Sequence, residues 1–295
     1  MKNLSGMTGF ARVTGEAEWG AWAWEAKSVN GRGLDVRVNT PPGFDALERV
    51  IKAAASKRFN RGSLQVSLRI ELSEQAGGAT IDQALLDTLL AAAEQAHGVG
   101  ISSEAIATLM TVKGVVEIGS TNIRDVAVNS DVMAELESAA GAALAELDEA
   151  RQAEGRALKA MLSDLVDELV SATDTAISLA GDQPALLKAR LTKQLEELGA
   201  DQQVDPESLA AELALTAAKA DVREELDRLL AHFDSARKLL SGGSPVGRKL
   251  DFLAQELNRE ANTLCSKSVS LDLTNAGLSL KGTIDQFKEQ AANVE

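Results

Sequence analysis

The 295-residue chain carries 44 Asp/Glu against 30 Lys/Arg, a formal net charge of −14, with one cysteine, no tyrosine and 3% aromatic residues. That composition excludes an internal disulfide framework, a uniformly basic nucleic-acid binder and a surface of aromatic platforms for stacking bases. The chain has no run of about 18 apolar residues and no signal-peptide hydrophobic core, so it reads as soluble and cytoplasmic, long enough for two or three domains.

The charge is unevenly spread. Residues 1–72 sum to +4, residues 73–213 to −17 and residues 214–295 to −1, so a polyanion remains an admissible partner for the two ends. In chain order, Phe10–Val13 and Trp19–Ser28 read as paired strands with Trp22 and Trp24 on one face, and Leu34–Asn39 as another strand. Pro41-Pro42-Gly43 breaks that pattern before a basic amphipathic helix, Asp45–Phe59. Arg61-Gly62 turns into Ser63–Glu71, which alternates with period two. Residues 1–72 thus suggest a small α+β unit.

Ser73–Thr80 is a polar boundary to an acidic, mainly helical middle, residues 73–205. Helical spacing predicts Ile81–His97, Ser103–Met110, a run from Asp131 to about Leu179, and about Gln183–Leu198, with Val112–Gly119 as a strand-like interruption. In the long run Val132, Leu136, Leu144 and Leu147, then Leu158, Met161, Leu162, Leu165 and Leu169, recur at helical intervals. The register shifts near Gly155, where a bend is expected, and the length suggests an extended arm or a helical hairpin. Residues 206–295 predict a C-terminal helical domain: Pro206–Leu240, Gly247–Lys267, and a stripe of Leu280, Ile284, Phe287, Ala291 and Val294 suited to packing within or between subunits. The fold class is α+β, a strand-rich N-terminal unit followed by helices.

Within that last region, Val222, Leu226, Leu229, Leu230 and Phe233 share one helix face, flanked by Asp221, Glu224, Glu225, Arg228 and His232. In the next helix Leu250, Leu253, Leu257, Ala261 and Leu264 share a face, with Glu256, Glu260, Thr263 and Lys267 on one side and Asn258 and Asn262 on the other. The breaker Ser241-Gly-Gly-Ser-Pro245 is short enough to require antiparallel packing. Both acidic strips lie on the same rotational side of their apolar faces, so antiparallel packing brings them onto one side of the pair. Facing glutamates on two helices can supply oxygen ligands to a divalent ion. Equally, Arg228, Arg259 and Lys267 could neutralise Glu224, Glu256 and Glu260 in an interhelical salt-bridge network, the common fate of charged clusters. His97 and His232 are the only histidines, which argues against a His-rich metal site or a Ser-His-Asp triad.

The cations admit similar alternatives. Gly247-Arg248-Lys249 opens a helix, where N–H groups and two cations can hold phosphate, or is simply a solvated helix start. Ser28-Val-Asn-Gly-Arg32 presents Asn30 and Arg32 from a polar turn, which could equally be a hairpin turn chosen for its backbone. Arg61-Gly62 reads both ways.

At these motifs the chain resembles the YicC/YloC family of bacterial proteins nearly end to end. The resemblance runs through Met7-Thr-Gly-Phe-Ala-Arg12, Ser28-Val-Asn-Gly-Arg-Gly-Leu-Asp35 and Arg61-Gly62, and closes with Leu280–Glu295. It is most specific in Asp221–Leu229 with His232, and in Gly247–Thr263 with Ser266-Lys267. The resemblance implies a divalent-metal-dependent endoribonuclease, a homohexamer whose helical arms open and close around RNA. On that implication Glu224, Glu225, Glu256 and Glu260 are candidate ligands for Mn²⁺ or Mg²⁺, and His232 a ligand or proton-transfer group. Arg32, Arg61, Arg248, Lys249, Arg259 and Lys267 are candidate phosphate contacts, while Asn258 and Asn262 orient RNA or fix the helix pair. The rival expectations are a non-catalytic oligomeric adaptor that presents RNA to another nuclease, and a helical scaffold with no RNA role.

Overall fold

Alternation in the N-terminal region resolves into a four-stranded sheet. The structure, a computed structural model, describes residues 3–73, 79–97, 102–118, 122–197 and 205–295. Strands β1 (Gly9–Ala17) and β2 (Gly20–Val29) pair antiparallel, followed by β3 (Leu34–Asn39), helix α1 (Asp45–Arg58) and β4 (Gly62–Leu72). The sheet order is β1-β2-β4-β3, with β4 antiparallel to β2 and parallel to β3. Trp22, Trp24, Leu64, Val66 and Leu68 bury one sheet face with Leu47, Ile51 and Ala55 of α1. Because β4 lies between β2 and β3, the Asn30–Gly33 segment is not a hairpin turn. It passes over the start of β4, where Gly62 donates its N–H to the Gly33 carbonyl at 3.0 Å and adopts φ +117°, a conformation open to glycine.

Between sheet and bundle lie β5 (Ala79–Ile81), α2 (Gln83–His97), α3 (Ser103–Met110), β6 (Val116–Ile118), which pairs with β5, and α4 (Ile123–Ala127). Strand β5 begins inside the expected polar boundary, of which 74–78 lie outside the described residues, as do Gly119 and the His97 side chain. Helix α5 (Ser130–Gly181) is 52 residues long, about 78 Å at 1.5 Å per residue. The Asn129 side chain caps its first N–H groups.

Helix α5 runs through Gly155 without a break. A Cβ on Gly155 would come within 2.0 Å of the Leu4 carbonyl oxygen, so the glycine serves a close approach of the N-terminal segment. Met161, counted on the apolar stripe, is 47% exposed. The buried stripe runs Leu144, Leu147, Arg151, Gly155, Leu158 and Leu162, without a register shift. Its first part, to Leu147, packs into the sheet core, and its second, from Leu158, into a helical core.

That second core is a bundle. Helices α6 (Gln183–Glu197) and α7 (Pro206–Lys219) precede α8 (Arg223–Gly242), α9 (Gly247–Lys267) and α10 (Leu271–Ala291). The expected single run Pro206–Leu240 breaks at Ala220, whose carbonyl accepts from Gln183 Nε2 at 2.9 Å. The second half of α5 packs with α8 and α10, and α9 packs with α8 and α10, closing four helices around Leu229, Phe233, Leu250, Leu257, Ile284 and Phe287. Every member of the predicted stripe from Leu280 to Val294 is fully buried. Among the described residues no helix is long and apolar enough to cross a membrane.

The two cores meet at a polar seam. Arg151 is fully buried and stacks over the Phe59 ring at 4.8 Å. Its Nε donates to the Gly6 carbonyl at 2.8 Å, and its Nη2 to the Arg61 carbonyl and to Glu295 Oε2, both at 3.0 Å. The other Glu295 carboxylate oxygen accepts from the Asn60 and Arg61 N–H groups. Its backbone oxygen accepts from Val246 and Gly247 at 2.8 and 3.1 Å. Burial lowers the Arg151 pKa, opposed by Glu295.

Candidate metal centre

Helices α8 and α9 run antiparallel with their apolar faces together, as the short Ser241–Pro245 connection requires. The polar strips therefore share one seam, and partners pair in reverse order along it. Near one end, Lys267 Nζ donates to Glu225 Oε1 at 2.8 Å and to the Asp221 carbonyl at 3.1 Å. Further along, Arg228 Nη1 lies 3.5 Å from Glu260 Oε1, while its Nη2 donates to Glu224, one turn back on α8. Next come His232, Glu256 and Glu260, each offering a ligand atom, all within 4.8 Å of one another.

The structure thus divides the predicted ligands. It brings His232, Glu256 and Glu260 together, and places Glu224 and Glu225 in ion pairs along the same seam. Glu225 is 4% exposed and lies seven residues from His232, about 10 Å along α8. Among the described residues its Oε2 has no hydrogen-bond partner. The ridge therefore holds salt bridges toward the start of α8 and, beyond them, three side chains close enough to share an ion. Glu260 is 5% exposed, His232 and Glu256 are half-buried, and among the described residues the side chains of His232 and Glu256 have no hydrogen-bond or ion-pair partner. The imidazole and two carboxylates form a mixed nitrogen–oxygen set, which suits a divalent ion such as Mn²⁺, and Mg²⁺ less well because Mg²⁺ takes oxygen.

The predicted phosphate contacts fall into separate groups. Arg61 Nε donates to the Gly31 carbonyl at 2.7 Å, and Arg248 Nη2 approaches the Arg32 carbonyl at 3.4 Å. A Cβ on Gly247 would lie 3.0 Å from Arg61 Nη1. Arg32, Arg61 and Arg248, with exposed Lys249 beside them, therefore form one basic lip where the β2–β3 loop, the start of β4 and the start of α9 converge. The Val246 and Gly247 N–H groups are already taken by Glu295, so the lip offers side chains more than backbone donors. Arg259 is exposed on α9 beside Glu256 and Glu260, and Lys267 is committed to Glu225. Asn258 donates to Asp285 on α10 at 2.8 Å and so fixes α9 to α10, whereas Asn262 is exposed.

Sequence reasoning missed Arg151 and Glu295, which hold the lip in place through the Arg61 backbone. A signal existed for Arg151: it occupies a position of the apolar stripe between Leu147 and Leu158, where a charge demands a partner.

Comparison with known proteins adds the family. A profile described as "Endoribonuclease YicC-like, N-terminal region" matches residues 4–160, and one described as "Endoribonuclease YicC-like, C-terminal" matches residues 177–295. A protein of Haemophilus influenzae named "Probable endoribonuclease YicC" is 34% identical over 294 residues, 98% of this chain and 99% of the relative. One of Clostridioides difficile with the same name is 25% identical over 308 residues, again 98% of this chain and 99% of the relative.

Proposed function

The chain belongs to the YicC-like endoribonuclease family, and from that premise we propose that it cleaves RNA with a divalent ion held by His232, Glu256 and Glu260. The observation that carries the reading is the meeting of those three donors within 4.8 Å at the α8–α9 seam. When bound, Mn²⁺ or Mg²⁺ supplies a Lewis acid that polarises a phosphate oxygen and lowers the pKa of water. The protein's own contribution is position and charge. The lip of Arg32, Arg61, Arg248 and Lys249 grips phosphates, Arg259 and Asn262 guide the strand along α9, and Asn258 and Lys267 hold the helices that carry the ligands. Arg248 precedes Glu256 by eight residues and Glu260 by twelve, about 12 and 18 Å along the helix, so the lip holds RNA at a distance from the cut.

The charge layout supports an assembled form. A −14 chain repels RNA at long range. A homo-oligomer, a hexameric ring in this reading, places the basic N-terminal units and the seam toward RNA and the acidic middle outward. Phe252, Leu271 and Leu278 are 62, 75 and 54% exposed on α9 and α10 and offer apolar area to such contacts.

One observation favours the adaptor reading: Glu260 already has Arg228 as a counter-ion. The test is incubation of the purified protein with labelled single-stranded RNA and Mn²⁺ or Mg²⁺, with and without chelator, beside Glu256→Gln and Glu260→Gln. The expected result is cleavage that stops with chelator and falls on the order of 100-fold in either variant. Chelator-insensitive cutting, or full activity in both variants, overturns the metal centre; tight RNA binding with no cleavage establishes the adaptor.

A further inference from the structure

We infer that Arg228 is a catalytic residue of this site: its guanidinium, clamped by Glu224 and resting beside Glu260, is the cation that contacts the phosphate being cut. The inference rests on the reading of His232, Glu256 and Glu260 as the cleavage centre, and assigns Glu224 a new part, as the positioning residue for Arg228.

Geometry distinguishes Arg228 from a plain salt-bridge partner. Glu224, Arg228 and His232 stand at intervals of four on α8, so they form one line along the helix and over the seam. The Arg228 fork faces two ways. One nitrogen, Nη2, donates to Glu224; the other, Nη1, is 3.5 Å from Glu260 Oε1 with no hydrogen bond between them. Charge-assisted hydrogen bonds normally close to about 2.7–2.9 Å. Arg228 is therefore hydrogen-bonded on its Glu224 side and only ion-paired, without a hydrogen bond, on the side that faces the donor set. Its side chain is 53% exposed, so that edge is open to a ligand, whereas Glu260 beneath it is 6% exposed.

The other cations are less well placed. Arg32, Arg61, Arg248 and Lys249 belong to the lip, whose Arg248 lies eight and twelve residues before Glu256 and Glu260, about 12 and 18 Å along α9. Lys267 is engaged by Glu225 and the Asp221 carbonyl. Arg259 has no partner to hold it among the described residues. Charge points the same way. Two carboxylates meeting a phosphodiester repel it. A bound divalent ion only cancels those two carboxylates, and a guanidinium aimed at the phosphate adds a local donor and positive charge where a transition state gathers negative charge. Lysine cannot serve one partner on each edge of a rigid fork, so the residue type itself is informative.

The test compares the full-length protein with Arg228→Ala, Arg228→Lys and Glu224→Gln in three measurements: Mn²⁺ binding without RNA by calorimetry, binding of labelled single-stranded RNA in chelator, and single-turnover cleavage. Arg228→Ala is expected to bind Mn²⁺ and RNA within about threefold of the parent, yet to cleave on the order of 100-fold more slowly. Arg228→Lys should recover part of the rate, and Glu224→Gln should lose about tenfold by loosening the clamp. Cleavage by Arg228→Ala within about threefold of the parent overturns the proposal, and identifies Arg228 as a counter-ion of Glu260 alone. Loss of Mn²⁺ binding together with cleavage in Arg228→Ala overturns it too, since the arginine would then shape the donor set. Failure of the underlying metal reading looks different: the parent itself binds no Mn²⁺ and cleaves in chelator.

Discussion

Two charged clusters occupy this molecule, and they are completed differently. At the seam between the cores, Arg151 and Glu295 are 0 and 5% exposed, and the guanidinium nitrogens and both carboxylate oxygens are engaged by backbone, by Ser28 or by each other. At the α8–α9 seam Glu260 is as deeply buried, yet its ion pair with Arg228 is 3.5 Å long, and among the described residues the His232 and Glu256 side chains stand without partners. An incompletely paired buried charge is costly, so stability alone favours finishing the second cluster as the first is finished. Leaving it open is the expected signature of a place kept for a ligand, and under the proposed function the contrast separates a charge pair that holds the structure from one that serves the chemistry.

Breaking the closed cluster is expected to have the largest effect. Arg151→Ala leaves the Glu295 carboxylate buried and unpaired, and should lower the unfolding free energy in denaturant by about 3–5 kcal/mol. Replacing both partners, Arg151→Met with Glu295→Leu, should recover only part of that loss, because an apolar pair strands no charge but leaves the Gly6 and Arg61 carbonyls and the Asn60 and Arg61 N–H groups without these partners. A single variant as stable as the parent would erase the distinction between the clusters.

The open cluster should respond in the opposite way. His232→Ala is expected to lower cleavage on the order of 100-fold while unfolding stability stays within about 1 kcal/mol. Mn²⁺ at 100 times its dissociation constant should stabilise the parent by about 2.7 kcal/mol and give His232→Ala little in the same thermal-shift experiment. Equal stabilisation of both proteins would move the ion elsewhere.

Two smaller effects sharpen the contrast. A Cβ on Gly247 would meet the Val294 carbonyl oxygen at 2.1 Å, so Gly247→Ala should cost about 1–3 kcal/mol and weaken RNA binding through displacement of Arg61, with the Mn²⁺ thermal shift preserved. Loss of that shift would mean that lip and centre are not separable. The smallest effect belongs to Asp221, whose carboxyl is held down to about 2 by its hydrogen bonds to Arg223. The value lies below that of the unfolded chain, so the contribution is present above about pH 4 and fades as pH falls toward 2. This pair is solvent-exposed, and Asp221→Asn should flatten the stability profile slightly in that window while changing little at pH 7. A large change at pH 7 would mean that the pair carries more of the helix start than its exposure allows.

Much of this was legible in the sequence because it is periodic. The faces of α8 and α9, the breaker between them and the side on which the strips emerge follow from residue spacing, and they lead to Glu256, Glu260 and His232. Spacing does not say which carboxylates meet which cations across the seam: Glu224 pairs with Arg228 one turn along its own helix, but reversed order along an antiparallel pair sets Glu225 beside Lys267 and Glu260 beside Arg228. Strand periodicity gave the faces of β2 and β4 but not the insertion of β4 between β2 and β3, since alternation reports a face and not a neighbour. Arg151 and Glu295 lie 144 residues apart, and only the folded chain makes them partners.

Helix α5 has a consequence for how the protein comes apart. One half supplies a wall of the sheet core and the other a wall of the bundle, without a break between them. A core that loses a wall exposes apolar surface at once. Local melting of α5 is therefore felt on both sides, and the two cores should denature in a single cooperative transition, even though each has its own hydrophobic interior.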